Sequence, residues 1–240
     1  MSIPMPAVLL VTGASSGIGA EVARMLAGPG RTLHLQGRNL ERLESVAAEV
    51  TARGGVPVLR QVDLSDHDAV EELVSALAKD IQRLDVLVHS AGLVTLDQVE
   101  EADVANLDRL YAVNLRAPFA ITTALTPALV AANGQVVFVN SGLGRESRPN
   151  WSQYAATKFG LRALADAYRA EVEPRGVRVT TIYPGRTASP MQAEVHRQEG
   201  RPYDPERHAT TDDVAGSILH VLEMARSASV QELTVRQRTR

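Results

Sequence analysis

Seven short apolar runs, six of them followed by a stretch with helical spacing, divide this chain from end to end, and nothing else narrows the fold as far. The runs are 7–12, 32–36, 56–62, 84–89, 135–140, 177–183 and 232–235. Helical patterns cover 17–27, 40–52, a segment opening at the N-cap pair Ser65-Asp66, 104–131, 151–173 and 212–223. The stretch from Pro184 to Thr211 reads as irregular. Runs such as AVLLVT and QVVFVN lack the alternation of a half-exposed strand, so they are expected to be covered on both faces. Strands and helices in this rhythm specify a doubly wound parallel sheet in an α/β fold with three layers, α/β/α. With no repeat, low-complexity tract or linker, residues 1–240 read as a single domain large enough for a full core.

The first strand runs into Thr12-Gly13-Ala14-Ser15-Ser16-Gly17-Ile18-Gly19. Glycines let the backbone turn sharply and approach a ligand, and the following helix N-terminus offers unpaired N–H groups to an anion. At the end of the first strand of an α/β sheet, such a turn points to a dinucleotide phosphate site. Three residues separate Gly13 from Gly17, unlike the G-x-G-x-x-G pattern, and the absence of lysine argues against a nucleotide-hydrolysing loop.

The second strand ends Leu35-Gln36-Gly37-Arg38-Asn39. An acid placed here would bind the adenosine ribose hydroxyls, whereas an arginine accommodates a 2′-phosphate through paired hydrogen bonds. No acid is present, so Arg38 favours NADP(H) over NAD(H), unless it is a solvated loop arginine.

Tyr154 and Lys158 stand four residues apart in the helical stretch 151–173, hence on one face. A phenol beside an ammonium can move a proton, and the cation is expected to lower the phenol pKa. Lys79 and Lys158 are the only lysines against 23 arginines, which makes a lysine at this position less easily filler. A helix-surface pair without a role is the alternative.

Taken together, the T-G-x-x-x-G-x-G turn, Asp63, Ala91-Gly92, Asn114, Ser141, Y-x-x-x-K and Pro184-Gly185 resemble the short-chain dehydrogenase/reductase family in order and spacing over about residues 7–235. The resemblance implies a seven-stranded Rossmann fold, a nicotinamide cofactor and reversible hydride transfer to a carbonyl or secondary alcohol. Carried over by position, Ser141 would hold the substrate oxygen and Tyr154 would act as general acid or base. Lys158 would bind the nicotinamide ribose, and Asn114 would hold a relay water. Gly13, Ser15, Ser16, Gly17, Ile18 and Gly19 would surround the pyrophosphate, with Asp63 and Leu64 facing the adenine. Ala91 and Gly92 would line the floor, and Pro184, Gly185, Thr187 and Ser189 the carboxamide. The family also implies a homotetramer or dimer packed through the Asn114 and Tyr154 helices. Independently, Pro118 has no N–H for the carbonyl of Asn114, so a kink with a free oxygen is expected there.

Two departures stand out. His89-Ser90 replaces the usual Asn-Asn before Ala91-Gly92, and His89 reads as a packed histidine. Ser16 stands where some NADP-binding members carry arginine, leaving Arg38 most of the discrimination. Residues 189–211 would cap the substrate pocket. Its His196, Arg197, Arg201, Tyr203, Arg207 and His208, with Arg145 and Arg148, suggest either a cationic mouth or solvated surface arginines. Trp151 is a candidate pocket wall. An NAD(H)-linked alcohol dehydrogenase and a non-catalytic dinucleotide sensor are the competing functions, though a sensor needs no proton-transfer tyrosine.

Net charge of −3 gives no sign of a nucleic-acid or anionic-membrane surface. Cysteine is absent, which removes disulfides and thiolate chemistry, and no histidine has a partner at ligand spacing, so no metal is expected. The apolar start lacks a basic flank and no apolar stretch is expected to span a bilayer, so the chain reads as cytoplasmic.

Overall fold

The computed structural model describes residues 3–238. Seven strands, β1 (Ala7–Thr12), β2 (Arg31–Gly37), β3 (Val56–Gln61), β4 (Val86–His89), β5 (Gln135–Val139), β6 (Arg178–Pro184) and β7 (Glu232–Val235), form one sheet in the order β3-β2-β1-β4-β5-β6-β7. Every pair is parallel, with Leu9 beside Leu33 and Val86, and Val137 beside Thr180. The order reverses between β1 and β4, so the ends of these two strands open the crevice in which doubly wound sheets bind ligands.

The helices are α1 (Gly17–Leu26), α2 (Leu40–Ala52), α3 (His67–Asp80), α4 (Val104–Tyr111), α5 (Ala117–Ala132), α6 (Ser152–Val172), α7 (Pro190–Gln198) and α8 (Thr211–Glu223). Side-chain caps start several of them: Asn39, Asp66, Asp103 and Ser189 each accept a backbone N–H, and Thr210 with Asp213 forms a capping box. Alternate residues of each strand enter opposite layers. Leu9 and Val11 pack with Val22, Val46 and Ile218 on one side. Leu10 packs with Leu73, Ile121 and Leu161 on the other. The three-layer reading from sequence holds.

Three local readings change. The stretch from Pro184 to Thr211 is not irregular throughout, because α7 crosses it, and residues 205–207 add a short 3-10 turn. The long helical region is not uniform either. Between α4 and α5 it widens into a π turn at Ala112–Arg116, in which Ala117 N–H donates to the carbonyl of Ala112. Pro118 follows directly and cannot donate a backbone bond, which accounts for the loosened winding. Finally, Val104–Ala132 taken as one run is long and apolar enough to cross a bilayer, contrary to the expectation. Its apolar side chains Ile121, Leu125 and Leu129 are fully buried against the sheet and α6, the packing of a core helix.

Candidate active site

The floor is made where β1 and β4 end. Thr12 Oγ1 accepts the backbone N–H groups of Ser90 (3.1 Å) and Ala91 (3.2 Å), holding the two loops side by side. Gly13 follows at φ +68°, a conformation that disfavours a side chain, and a Cβ there would stand 2.7 Å from the Ala91 Cα. A Cβ on Gly19 would stand 2.4 Å from the Gly13 carbonyl oxygen, so Gly19 acts in packing the turn. Gln36 supports the turn from β2: its Oε1 accepts Gly13 N–H (3.2 Å), its carbonyl accepts Ala14 N–H (2.8 Å), and its Nε2 donates to Val62 O (2.8 Å). The N-cap of α1, Ser16, makes no side-chain cap bond, so the first N–H groups of the helix are left for an anion. This cradle fits a pyrophosphate.

One cavity of about 430 Å³ runs from this turn to the start of α6. Gly13, Ser15, Ser16, Gly17, Ile18, Arg38, Asp63, Leu64, Ala91 and Gly92 line it at one end, with Ser141, Tyr154, Lys158, Pro184, Gly185, Thr187 and Ser189 toward the other. Of the catalytic and cofactor-binding residues expected from sequence, Gly19 and Asn114 alone stand behind the wall. Arg38 is exposed at the rim. Asp63 is turned inward on its own loop, where its Oδ1 accepts Ser65 N–H (2.9 Å) and Ser65 Oγ–H (2.7 Å). Partial burial pushes its pKa up, but these two bonds and the positive field of Arg38 and Arg109 outweigh it and leave the carboxyl below its ordinary value.

At the other end β5 delivers Asn140 and Ser141. Asn140 Oδ1 accepts Ser141 N–H (2.8 Å), and its Nδ2 donates to the carbonyl of Lys158 (3.1 Å), fixing the serine against α6. Ser141 Oγ accepts Leu143 N–H (3.2 Å) and hydrogen-bonds with Tyr154. Lys158 Nζ donates to the carbonyl of Val139 (3.2 Å) and lies 5.8 Å from the Tyr154 ring centre. Asn114, fully buried, is a clamp: its Oδ1 accepts Leu93 N–H (2.8 Å), and its Nδ2 donates to Leu93 O (3.0 Å) and Thr157 Oγ1 (3.0 Å).

The electrostatics differ from the sequence expectation. Burial pushes the Tyr154 pKa up to about 12, with the Ser141 bond opposing, rather than letting Lys158 lower it. Burial also brings Lys158 down to about 8. Desolvation dominates both groups, and the phenol is neutral at pH 7, the form that donates a proton.

The cationic mouth largely dissolves. Arg197 pairs with Glu194 (2.5 Å). Arg145 pairs with Glu232 (2.6 Å) and covers the Tyr183 ring. Arg186 makes two bonds to Glu199 (2.5 and 2.9 Å), and Arg186 Nη1 also meets His196 Nε2 (3.2 Å). His196 Nδ1 faces the carbonyl of Pro202 (2.7 Å) and His196 Nε2 faces His208 Nε2 (3.1 Å), while Tyr203 packs against both rings. These groups latch α7 down. Among the arginines named from sequence, Arg148 alone of the mouth set reaches the cavity, stacked over Trp151 (4.7 Å), and Trp151 forms the wall beside Tyr154. His89 is a packed residue: it stacks on Phe138, bonds Thr122 Oγ1 (2.9 Å), and burial takes its pKa down to about 3.

Sequence reasoning assigned no role to the side chains of Thr12, Gln36 and Asn140, which sit at strand ends and bond segments distant in the chain. It also missed Met191, Gln192 and Val195, which α7 brings into the cavity.

A turn built to receive a phosphate and a Ser–Tyr–Lys group at opposite ends of one crevice define a Rossmann-type dinucleotide-binding protein. The family model described as short chain dehydrogenase matches residues 7–200, and the chain belongs to that family of oxidoreductases. It is 35% identical over 212 residues to the Escherichia coli oxidoreductase YciK, covering 86% of this chain and 82% of that one. It is 33% identical over 242 residues to glycine betaine reductase ATRR of Emericella nidulans, covering 96% of this chain but only 19% of that much longer protein. An alcohol dehydrogenase from Thermococcus sibiricus, solved with 5-hydroxy-NADP, superposes with a TM-score of 0.85 at 28% identity, covering 98% of this chain and 99% of that one. Several other neighbours are solved with NADP.

Proposed function

We propose that this protein is an NADP(H)-dependent oxidoreductase that interconverts a small carbonyl compound and its secondary alcohol. The observation that carries the reading is the placement of Ser141, Tyr154 and Lys158 on one cavity with the glycine turn and an arginine, unaccompanied by an acid, at the end of β2. The similarity to neighbours solved with NADP supports the cofactor. The nicotinamide, when bound, supplies or accepts the hydride. The main chain of Gly13–Ile18 holds the pyrophosphate, Arg38 the 2′-phosphate, Asp63 and Leu64 the adenine edge, and Pro184, Gly185, Thr187 and Ser189 the carboxamide side.

Ser141 and Tyr154 hold the substrate oxygen between them. Tyr154, neutral at pH 7, donates its proton as charge develops on that oxygen, and takes it back in the oxidative direction. Lys158 positions the ribose and favours the phenolate left behind, and the donors together stabilise the alkoxide by a few kcal/mol each, about the magnitude of one oxyanion contact. Asn114 keeps Leu93, and with it the wall opposite, in place.

Titration with NADPH and with NADH, followed by quenching of Trp151, tests the cofactor. A carbonyl screen with Tyr154→Phe as the blank tests the chemistry. Tighter NADPH binding and a reductase activity lost in Tyr154→Phe support the reading; preference for NADH, or turnover that survives the substitution, refutes it. The exposed Tyr111 (48%) and Phe119 (56%) on the helices that carry Asn114, and Phe159 (41%) beside Lys158, favour a homo-oligomer packed through that surface, which sedimentation equilibrium tests.

A further inference from the structure

Val94, Leu143, Trp151 and Val195 give an apolar wall beside Tyr154, and α7 brings the polar Gln192 to the same cavity. Gln192 lies in the first turn of α7, where Ser189 Oγ accepts its backbone N–H (3.2 Å). Its side chain lines the cavity while the residue is only 8% exposed, and its Nε2 has no hydrogen-bond partner among the described residues. Buried donors are almost always paired, and one left unpaired beside a cavity marks a position that a ligand completes.

Its neighbours indicate which ligand. Val195, one helical turn further along the same face, packs with Leu143, Trp151 and Tyr154. Met191 lines the same cavity, its Cε 3.5 Å from where a Cβ on Gly92 would stand, a point that also lies 3.5 Å from Asn114 Oδ1 and 3.9 Å from Lys158 Nζ. Gln192 shares this cavity with Val195, three residues on, and rotation about its last side-chain bond, a soft torsion, exchanges the enclosed Nε2 for the other amide atom at the cavity.

We propose that Gln192 is a specificity-determining residue that donates a hydrogen bond to a second acceptor on the substrate. The substrate class is then an apolar carbonyl compound carrying another carbonyl oxygen, such as a keto ester, rather than a simple ketone. This rests on the carbonyl-reductase reading above. A site built to bond a polar group disfavours an analogue lacking it, because the amide is left without a partner.

The test is binding, read by Trp151 fluorescence in the NADP⁺-loaded protein, so that it does not depend on turnover. The probes are aryl keto esters with one, two and three bonds' difference in ketone–ester spacing, each against an alkyl phenyl ketone of equal length. At least one keto ester is expected to bind about tenfold more tightly than its matched ketone, the size of one well-made hydrogen bond. Gln192→Met, which keeps the volume, and Gln192→Glu, which keeps the shape but replaces the donor, should each bring that ratio to within about twofold of one. No preference in the wild type, or a preference that survives both substitutions, overturns the assignment. Loss of NADP⁺ binding in both variants would instead put Gln192 on the cofactor and overturn it equally. Failure of the carbonyl-reductase reading shows separately, as absence of Tyr154-dependent turnover in a protein that still prefers the keto ester.

Discussion

Lys158 should be costly to the fold, and replacing it should make the protein more stable while removing its activity. The ammonium is 4% exposed, and burial brings its pKa from 10.5 to about 8. At about 1.4 kcal/mol per tenfold in the proton equilibrium, holding the charge at pH 7 costs about 3 kcal/mol. Lys158→Met removes that cost and keeps an unbranched side chain of similar reach. It also strips the Val139 carbonyl of its donor, which returns roughly 1–2 kcal/mol. The net gain is about 1–2 kcal/mol, or about 2–8 °C in Tm for a chain of this size. The sign with pH is fixed: the folded state binds fewer protons than the unfolded state between about 8 and 10.5, so the wild type gains stability across that window. The advantage of the variant should be largest below pH 8, disappear between about pH 9 and 10, and reverse by pH 10.5, where only the lost Val139 bond remains. Urea unfolding followed by far-UV circular dichroism at pH 7, 9 and 10.5 measures it. A variant less stable than wild type at pH 7, or a gap that does not change with pH, refutes the reasoning.

Three further outcomes follow from the geometry. Arg38→Ala should weaken NADPH binding about 10- to 100-fold, the value of charge-assisted bonds to one phosphate, while NADH affinity moves less than about threefold; equal losses in a fluorescence titration would sink the phosphate assignment. Gly13→Ala places a Cβ 2.7 Å from Ala91 Cα at φ +68° and should abolish cofactor binding with a stability loss of at least about 2 kcal/mol, read by calorimetry. Glu199→Ala should free α7 and speed tryptic cleavage after Arg197. Its Arg186 bonds hold the Glu199 carboxyl below its ordinary value, so the latch is intact above about pH 4.5 and is lost only as acid protonates that carboxyl; protection that is unchanged in Glu199→Ala would show that the pair does not hold the cap.

The fold and the shape of the site were readable because their signals are local. Buried parallel strands announce themselves as unbroken apolar runs, and a glycine turn at the end of the first one has few other uses. Tyr154 and Lys158 share a helix, so their proximity is a matter of spacing. α7 escaped notice because only Met191 and Val195 carry its apolar face. The signals that mark it are the cap Ser189, the proline at its first position and Gly200 just past its end. Thr12, Gln36 and Asn140 escaped for another reason: each bonds a segment distant in the chain, and no periodicity encodes a partner. The pKa values of Tyr154 and Lys158 depend on how deeply the crevice closes over them, which is a property of packing.

The clasp of Thr12 on Ser90 and Ala91 has a consequence for how such a chain can change over time. The surface presented to the ligand there is main chain, held by main-chain amides and by gaps too narrow for a Cβ. Such a surface is indifferent to which side chains surround it, provided the gaps stay empty. Proteins about 30% identical to this one can therefore keep one bed for the same ligand while replacing two residues in three around it. By contrast, the Met191, Gln192 and Val195 side chains belong to the latched α7 and can be exchanged without disturbing the bed beneath.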